Sequence, residues 1–165
     1  MTRQRINIHQ IAKLTALAIV LNMFEFFLPS PIYGVKPGIA NIIILFAFVK
    51  FNFQSAVYIS LIRVFVSSLL LGTFLTPSFF LSLFGAFISL LFLYFCKFLS
   101  KNFFSLFSFS ILSALGHIIG QFIIVRIFII PDNGIFYLLP IFLLFGFIFS
   151  LINAYVLTKV ITSSN

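Results

Sequence analysis

The residues best suited to bind a ligand are polar side chains embedded in otherwise apolar sequence. Arg63 lies near the middle of a long apolar segment, where a charge is costly unless it is paired or has a function. His117 and Gln121 lie four residues apart, a spacing that places both side chains on one face of a helix. Guanidinium, imidazole and amide groups favour a ligand that is anionic or polar and aromatic. The predicted ligand-binding residues are Glu25, Lys36, Asn41, Arg63, His117 and Gln121.

Arg63 and Glu25 have alternative roles between which the sequence does not decide. Arg63 either contacts a substrate or forms an internal tie to Glu25 or to backbone groups. Ser60 and Ser67 flank it on the same helical face. Glu25 could bind a cation, take up a proton, pair with Lys36 or Arg63, or lie at the membrane interface.

The segment around His117 has the features of a packed helix as well as those of a site. Ser113, His117 and Gln121 follow one another every four residues and form a polar stripe. Beside the stripe, Gly116 and Gly120 form a G-x-x-x-G pattern, at which a neighbouring helix or a ligand can approach the backbone closely. The stripe therefore serves either ligand binding or hydrogen bonding between helices.

The composition predicts that lipid, and not water, surrounds most of the chain. Of the 165 residues, 62% are hydrophobic and 7% are charged, whereas soluble domains carry about 25% charged residues. The basic residues are scattered between apolar runs, so the net charge of +8 indicates membrane topology and not a nucleic-acid partner. Cys96 is the single cysteine, which excludes an internal disulfide framework. With so few acids as well, the chain is predicted to hold no metal ion and no cofactor.

The apolar segments predict an all-α integral membrane protein with about six transmembrane helices in one domain, residues 1–165. With the N-terminus inside, seven Lys and Arg residues lie in cytoplasmic segments and Lys36 lies outside. Because basic residues accumulate on the cytoplasmic side, both chain ends are predicted to be cytoplasmic. The expected location is the inner membrane of a bacterium. The predicted helices cover about residues 10–28, 39–50, 54–73, 78–98, 104–130 and 135–158.

The second predicted helix is too short to cross a bilayer. A run of about 12 residues rises roughly 18 Å, whereas the hydrocarbon core is about 30 Å thick. The preceding loop, residues 34–38, must therefore lie below the outer surface. Irregular backbone at that depth is tolerated where protein shelters it or where it lines a cavity. The sequence thus predicts a binding site beside this sunken loop.

Three stretches resemble motifs of one membrane protein family. Residues 31–41 read P-I-Y-G-V-K-P-G-I-A-N, which resembles the G-x-K-x-G-L-A-N signature of the Gx transporter family, also named heptaprenyl diphosphate synthase component I. Arg63 and Gly72 match the R-x8-G spacing of that family's third helix. Residues 116–121 resemble its A-H-N-x-G-Q element, with Gly in place of Ala and Ile in place of Asn.

The resemblance implies a fold, partners and roles for further residues. The Gx family is similar to the substrate-binding S components of energy-coupling factor transporters, which are six-helix proteins with cytoplasmic ends. Small residues in their first helix dock a transmembrane coupling subunit that works with ATPases, and Ala12 and Ala16 match that pattern. Their outer loops close over the ligand, and the segment around Lys36 matches such a lid.

The synthase name of the family implies at most a non-catalytic subunit. Prenyl chain elongation needs two Asp-rich motifs, and Asp132 is the single aspartate. No phosphate-binding loop or nucleophile motif occurs in the sequence. The chain is therefore predicted not to be an enzyme on its own.

Three functions compete at this point. The leading hypothesis is an S-component-like transport protein that binds a small anionic or polar-aromatic ligand, with that ligand, membrane lipid and a candidate coupling subunit as partners. The alternative is a non-catalytic membrane subunit of heptaprenyl diphosphate synthase, which acts in isoprenoid or quinone side-chain synthesis. A third hypothesis is an assembly protein that binds no ligand.

Overall fold

The computed structural model describes residues 7–27, 38–99 and 105–163, whose secondary structure is helical. Within these described residues six α-helices follow one another, which confirms the predicted all-α bundle. Their bounds are Ile8–Phe27 (α1), Ala40–Lys50 (α2), Phe53–Leu70 (α3), Pro77–Leu99 (α4), Leu106–Ile124 (α5) and Leu139–Ser163 (α6).

Consecutive helices run in alternating directions, so the bundle has two distinct ends. At the first, which we call the basic end, Lys50 and Lys97 lie near helix termini. There the ammonium group of Lys97 in α4 lies 5.8 Å from the centre of the Phe53 ring in α3. At the opposite end, which we call the cavity end, the rings of Phe65 in α3 and Phe79 in α4 are 5.5 Å apart.

The turn between α3 and α4 shows why the third helix ends where it does. Gly72 has a left-handed backbone with φ of 66°, which glycine adopts without a steric penalty. The N–H of Thr73 donates to the carbonyl of Ser68 at 2.8 Å, and that of Gly72 donates to Leu69 at 3.2 Å. These two bonds satisfy the last carbonyls of α3. Pro77 begins α4, at a position where no backbone donor is needed.

Three boundaries differ from those predicted. The third helix ends at Leu70 and not at 73, because the Gly72 turn begins there. The fifth changes type near its end, since α5 continues as a π-helix over Val125–Ile129. The sixth is preceded by a 3-10 turn over Asn133–Tyr137 and extends to Ser163. Continuous apolar sequence does not reveal such changes in helix type.

The short helix α2 is the centre of the bundle. It has 11 residues, which span about 16 Å at 1.5 Å per residue. Ile44 and Leu45 are consecutive residues that point to different sides of the helix, and both are buried. The surrounding apolar core includes residues from α1, α3, α4 and α6. Because protein encloses α2, its length is not required to match the membrane.

Two glycines allow α4 and α5 to pack in close contact. A Cβ atom built on Gly120 would lie 2.6 Å from the backbone oxygen of Phe84 in α4. One built on Gly116 would lie 3.2 Å from the Ile88 oxygen and from the Phe92 ring. The G-x-x-x-G pattern read from the sequence therefore serves helix packing, which brings the polar stripe of α5 beside α4.

Five of the six helices are long and apolar enough to cross a membrane. The exception among the described residues is Ala40–Lys50, as the sequence predicted. The chain is therefore a multi-pass membrane protein built as a helical bundle.

The close α4–α5 contact predicts a graded response to added methyl groups. We expect Gly120→Ala to destabilise the protein by about 1–3 kcal/mol, because backbone atoms must move apart. Gly116→Ala should cost less, since its contacts are longer and alanine favours a helix by up to ~1 kcal/mol. Thermal unfolding in detergent, followed with a thiol-reactive dye at buried Cys96, measures both. Equal stability of the two variants would contradict this packing.

The orientation of the basic end is a separate prediction, because the bundle itself does not indicate the side of the membrane. In a Cys96→Ala background, Tyr137→Cys places a thiol on an exposed residue near the cavity end and Thr162→Cys places one near the basic end. We expect a membrane-impermeant thiol reagent to label the first in intact cells and the second only after lysis. The reverse pattern would overturn the predicted cytoplasmic termini.

Candidate functional site

A cavity lies between the helices at the cavity end, next to the N-terminus of α2. Its volume is about 210 Å³. All six helices contribute to its wall, and polar side chains from each of them face the interior. These polar residues include Asn22, Glu25, Asn41, Arg63, Ser67, Ser78, Ser82, His117, Gln121 and Asn153.

Five of the six predicted ligand-binding residues line this one cavity. They come from four helices: Glu25 from α1, Asn41 from α2, Arg63 from α3, and His117 and Gln121 from α5. The sixth, Lys36, lies outside the described residues. Their proximity is what a ligand site requires, and their role in binding stays a prediction.

Arg63 is the central charge of the cavity wall. Its side chain is 6% exposed, and its Nε atom is buried without a hydrogen-bond partner among the described residues. The carboxylate of Glu25 attracts it electrostatically. An arginine at the centre of a bilayer costs about 2.5–3.5 kcal/mol on insertion scales. Part of its donor capacity is therefore available to a further anion.

Glu25 holds the start of α2 in place. One of its carboxylate oxygens accepts a short hydrogen bond from the backbone N–H of Ile39, one residue before α2 begins. From the other side, Nδ2 of Asn153 in α6 donates to the carbonyl of Gly38 at 3.2 Å. A negative charge at a helix N-terminus also complements the helix dipole. Glu25 thus fixes α2 as well as lining the cavity, which places it inside the protein and not at the membrane interface.

The polar stripe of α5 divides between the cavity and the core. The amide nitrogen of Gln121 lies within hydrogen-bond distance of Nε2 of His117, at 3.3 Å. The imidazole packs on Gly85 of α4, where a Cβ would lie 2.8 Å from the ring. Ser113, one turn earlier, points into the core and does not line the cavity. His117 and Gln121 therefore form a positioned pair on the cavity wall.

A chain of hydrogen bonds fixes the position of Asn41. Its Nδ2 donates to Oγ of Ser113 at 2.8 Å, and Ser113 bonds Oγ of Ser89 in α4 at 2.7 Å. On the opposite wall, Nδ2 of Asn22 donates to Oγ of Ser67 at 2.9 Å. In both cases a serine positions an asparagine of a neighbouring helix. The cavity wall is thus built from groups whose own geometry is already determined.

Comparison with known protein families identifies the family of this chain. The sequence model of the family described as heptaprenyl diphosphate synthase component I matches residues 14–160. The chain belongs to this family. No curated protein and no solved structure gives a significant match. The residues that match these motifs include five cavity residues of this component I protein: Gly38, Asn41, Arg63, His117 and Gln121.

Polar residues that the sequence did not single out as ligand contacts also line the cavity of this component I protein. Ser78 and Ser82, one turn apart at the start of α4, are two of them. Asn22 and Asn153 are two others, and both are amides on long apolar helices. Asn22, Ser78 and Ser82 share one signal, a polar residue in the half of a span nearest the cavity end, which could have found them. Asn153 lies just past the midpoint of α6, so that signal does not find it.

The predicted docking residues lie away from the cavity. Ala12 and Ala16 are one turn apart on α1, and both are exposed. Neither lines the cavity, and small exposed residues allow another helix to approach closely. Docking of a partner here stays a prediction.

Among the described residues, the buried side-chain polar atoms without a hydrogen-bond partner lie on two helices. They are Oγ1 of Thr15 in α1, and Oγ of Ser60 and Nε of Arg63 in α3. Thr15 and Ser60 have the same sequence separation, 45 residues, as the bonded pair Asn22 and Ser67. The seam between α1 and α3 is therefore closed near the cavity by the bond from Asn22 to Ser67. Two helical turns towards the basic end, at Thr15 and Ser60, the corresponding bond is missing.

Two buried serines form a matched pair that tests these assignments. Ser113 is 0% exposed with two hydrogen bonds, and Ser60 is 1% exposed with none for its hydroxyl. We expect Ser113→Ala to lower the free energy of unfolding by about 1–3 kcal/mol, because Asn41 and Ser89 lose a partner. Ser60→Ala should be neutral or stabilising. Thermal unfolding in detergent measures both variants, and equal losses would refute the network.

Proposed function

We propose that this component I protein is a membrane transport protein whose cavity binds a small anionic ligand. The observation that carries the proposal is the buried guanidinium of Arg63 on the wall of a polar cavity. A buried charge that retains an unused donor favours a ligand of opposite charge, since the ligand satisfies the donor on binding. The role resembles that of the S components of energy-coupling factor transporters.

The chemistry of the wall supports an anion over a cation. Arg63 carries a full positive charge, and the amides of Asn41 and Gln121 can donate hydrogen bonds. Glu25, the single acid of the cavity wall among the described residues, already accepts a bond from the backbone at Ile39. A polar-aromatic ligand fits the same wall if it carries an acidic group.

Exposed small residues support a coupling partner on α1. In the apolar stretch of α1, 17% of the residues are buried inside the protein, compared with 44% in the apolar stretch of α3. It therefore lies at the periphery of the bundle and presents Ala12 and Ala16 outwards. We propose that a transmembrane coupling subunit with ATPases docks there, in the cytoplasmic membrane of a bacterium.

The family description favours a second candidate function, that of a non-catalytic membrane subunit of a prenyl diphosphate synthase. In that case the basic end would contact a soluble catalytic subunit and the cavity would hold no transported ligand. The connection between α2 and α3 at that end is only the pair Phe51 and Asn52. So short a turn offers little surface to a partner, which places this function second.

The transport proposal is tested by native mass spectrometry of protein purified from its own membranes. We expect the wild type to carry a bound small molecule and Arg63→Ala to lose at least tenfold in occupancy, since hydrogen bonds to a charged group contribute about 1.5–3 kcal/mol. Lys159→Ala is the control. Its ammonium group lies outside the cavity, 5.8 Å from the centre of the Tyr155 ring at the far end of α6, so occupancy should not change.

Two further results decide between the functions. Arg63→Lys keeps the positive charge but lacks the forked N–H donors of the guanidinium. It therefore separates a loss of binding from a loss of folding. Equal occupancy in wild type and Arg63→Ala would overturn the anion site. Co-purification of a prenyl synthase subunit with wild type that carries no small molecule would favour the second function.

A further inference from the structure

A second, apolar groove runs along the lipid-facing side of the bundle at the cavity end. Its volume is about 260 Å³, and it lies between the end of α5, the π-helix that follows and the start of α6. Ile123, Ile127 and Phe136 line it and are exposed on the outside of the protein. The groove therefore opens towards the hydrocarbon of the bilayer.

The groove and the polar cavity are separated by two aromatic rings. Phe122 lines the groove and Phe142 lines the cavity, and their ring centres lie 5.2 Å apart at an angle of 78°. Neighbouring residues on α5 alternate in the same way, because Gln121 faces the cavity and Ile123 the groove. The Phe122–Phe142 pair is thus a common wall between the two spaces.

The two spaces differ in chemistry. The cavity has a buried cation and several hydrogen-bonding groups, but at about 210 Å³ it is smaller than the roughly 300–1,000 Å³ of pockets that enclose a whole drug-sized ligand. The groove wall is apolar, and the guanidinium of Arg126 at its edge is turned to Asn133. One space suits an anionic head group and the other a hydrocarbon chain.

We propose that the transported ligand is an anionic amphiphile with a single linear hydrocarbon chain, whose head binds Arg63 in the cavity while its chain passes between Phe122 and Phe142 into the groove. This inference rests on the proposed function and names the class of its ligand. Charge complementarity fixes the position of the head, and the apolar groove fixes the direction of the chain. Such a ligand enters sideways from the membrane and not from water.

Alkyl monophosphates of increasing chain length test the proposal, with the protein in lipid nanodiscs and partition into empty nanodiscs subtracted. We expect wild-type affinity to rise at least tenfold from ethyl to octyl phosphate, because each methylene that leaves water for the groove contributes about a fourfold gain at most. Arg63→Ala should weaken both ligands together, since both use the same head-group contact.

A bulky residue in the groove provides the decisive variant. Ile123→Trp fills the groove without touching the cavity, so octyl phosphate should then bind no better than ethyl phosphate, whose affinity should not change. Ile152→Trp is the matched control, because Ile152 is similarly exposed on α6 but lies outside both spaces. In that variant the preference for the longer chain should persist.

The outcomes separate this inference from the proposed function. If ethyl phosphate binds through Arg63 but chain length has no effect, the amphiphile proposal is wrong and the anion site stands. If octyl phosphate keeps its advantage in Ile123→Trp, the chain does not use the groove and the proposal is wrong. If neither phosphate distinguishes wild type from Arg63→Ala, the anion site itself fails.

Discussion

The structure depends on one constraint: a helix too short to cross the membrane must be enclosed by protein and secured at its free end. In lipid, an unsatisfied backbone group costs several kcal/mol, so the start of α2 needs partners at mid-depth. Glu25 supplies an acceptor for the N–H of Ile39, and Asn153 supplies a donor for the carbonyl of Gly38. The cavity lies where a full-length α2 would continue, so the site and the short helix have a common origin.

The same constraint explains how polar groups are distributed over the bundle. Near the cavity, asparagines and serines of neighbouring helices satisfy one another's hydrogen-bonding groups. Towards the basic end, Thr15 and Ser60 face the same α1–α3 seam with hydroxyls that have no partner among the described residues. The contact between α1 and α3 is therefore easier to separate towards the basic end, where this hydrogen bond is missing, than near the cavity. Arg63 lies between the two regions.

Much of this architecture could be predicted from the sequence, because lipid imposes simple rules. The helix count and the shortness of α2 followed from lengths of apolar sequence, and the depth of Arg63 followed from its place within such a run. Helix type did not follow, since Val125–Ile129 is as apolar in a π-helix as in an α-helix. Nor did the bond of Glu25 to Ile39, because a backbone N–H leaves no trace in side-chain chemistry. The groove escaped prediction because its lining resembles any lipid-facing surface.

The enclosure of α2 also separates the cavity from the thickness of the membrane. The spanning helices have between 18 and 25 residues, and such helices adapt to thicker or thinner bilayers by tilting. A central helix without a lipid interface receives no such force directly. The positions of Asn41 and Gly38, the cavity residues at the N-terminus of α2, are therefore set by the protein core and not by the bilayer surfaces. The same cavity geometry can then be kept in membranes of different lipid composition, as growth temperature and nutrient supply alter the acyl chains around the protein.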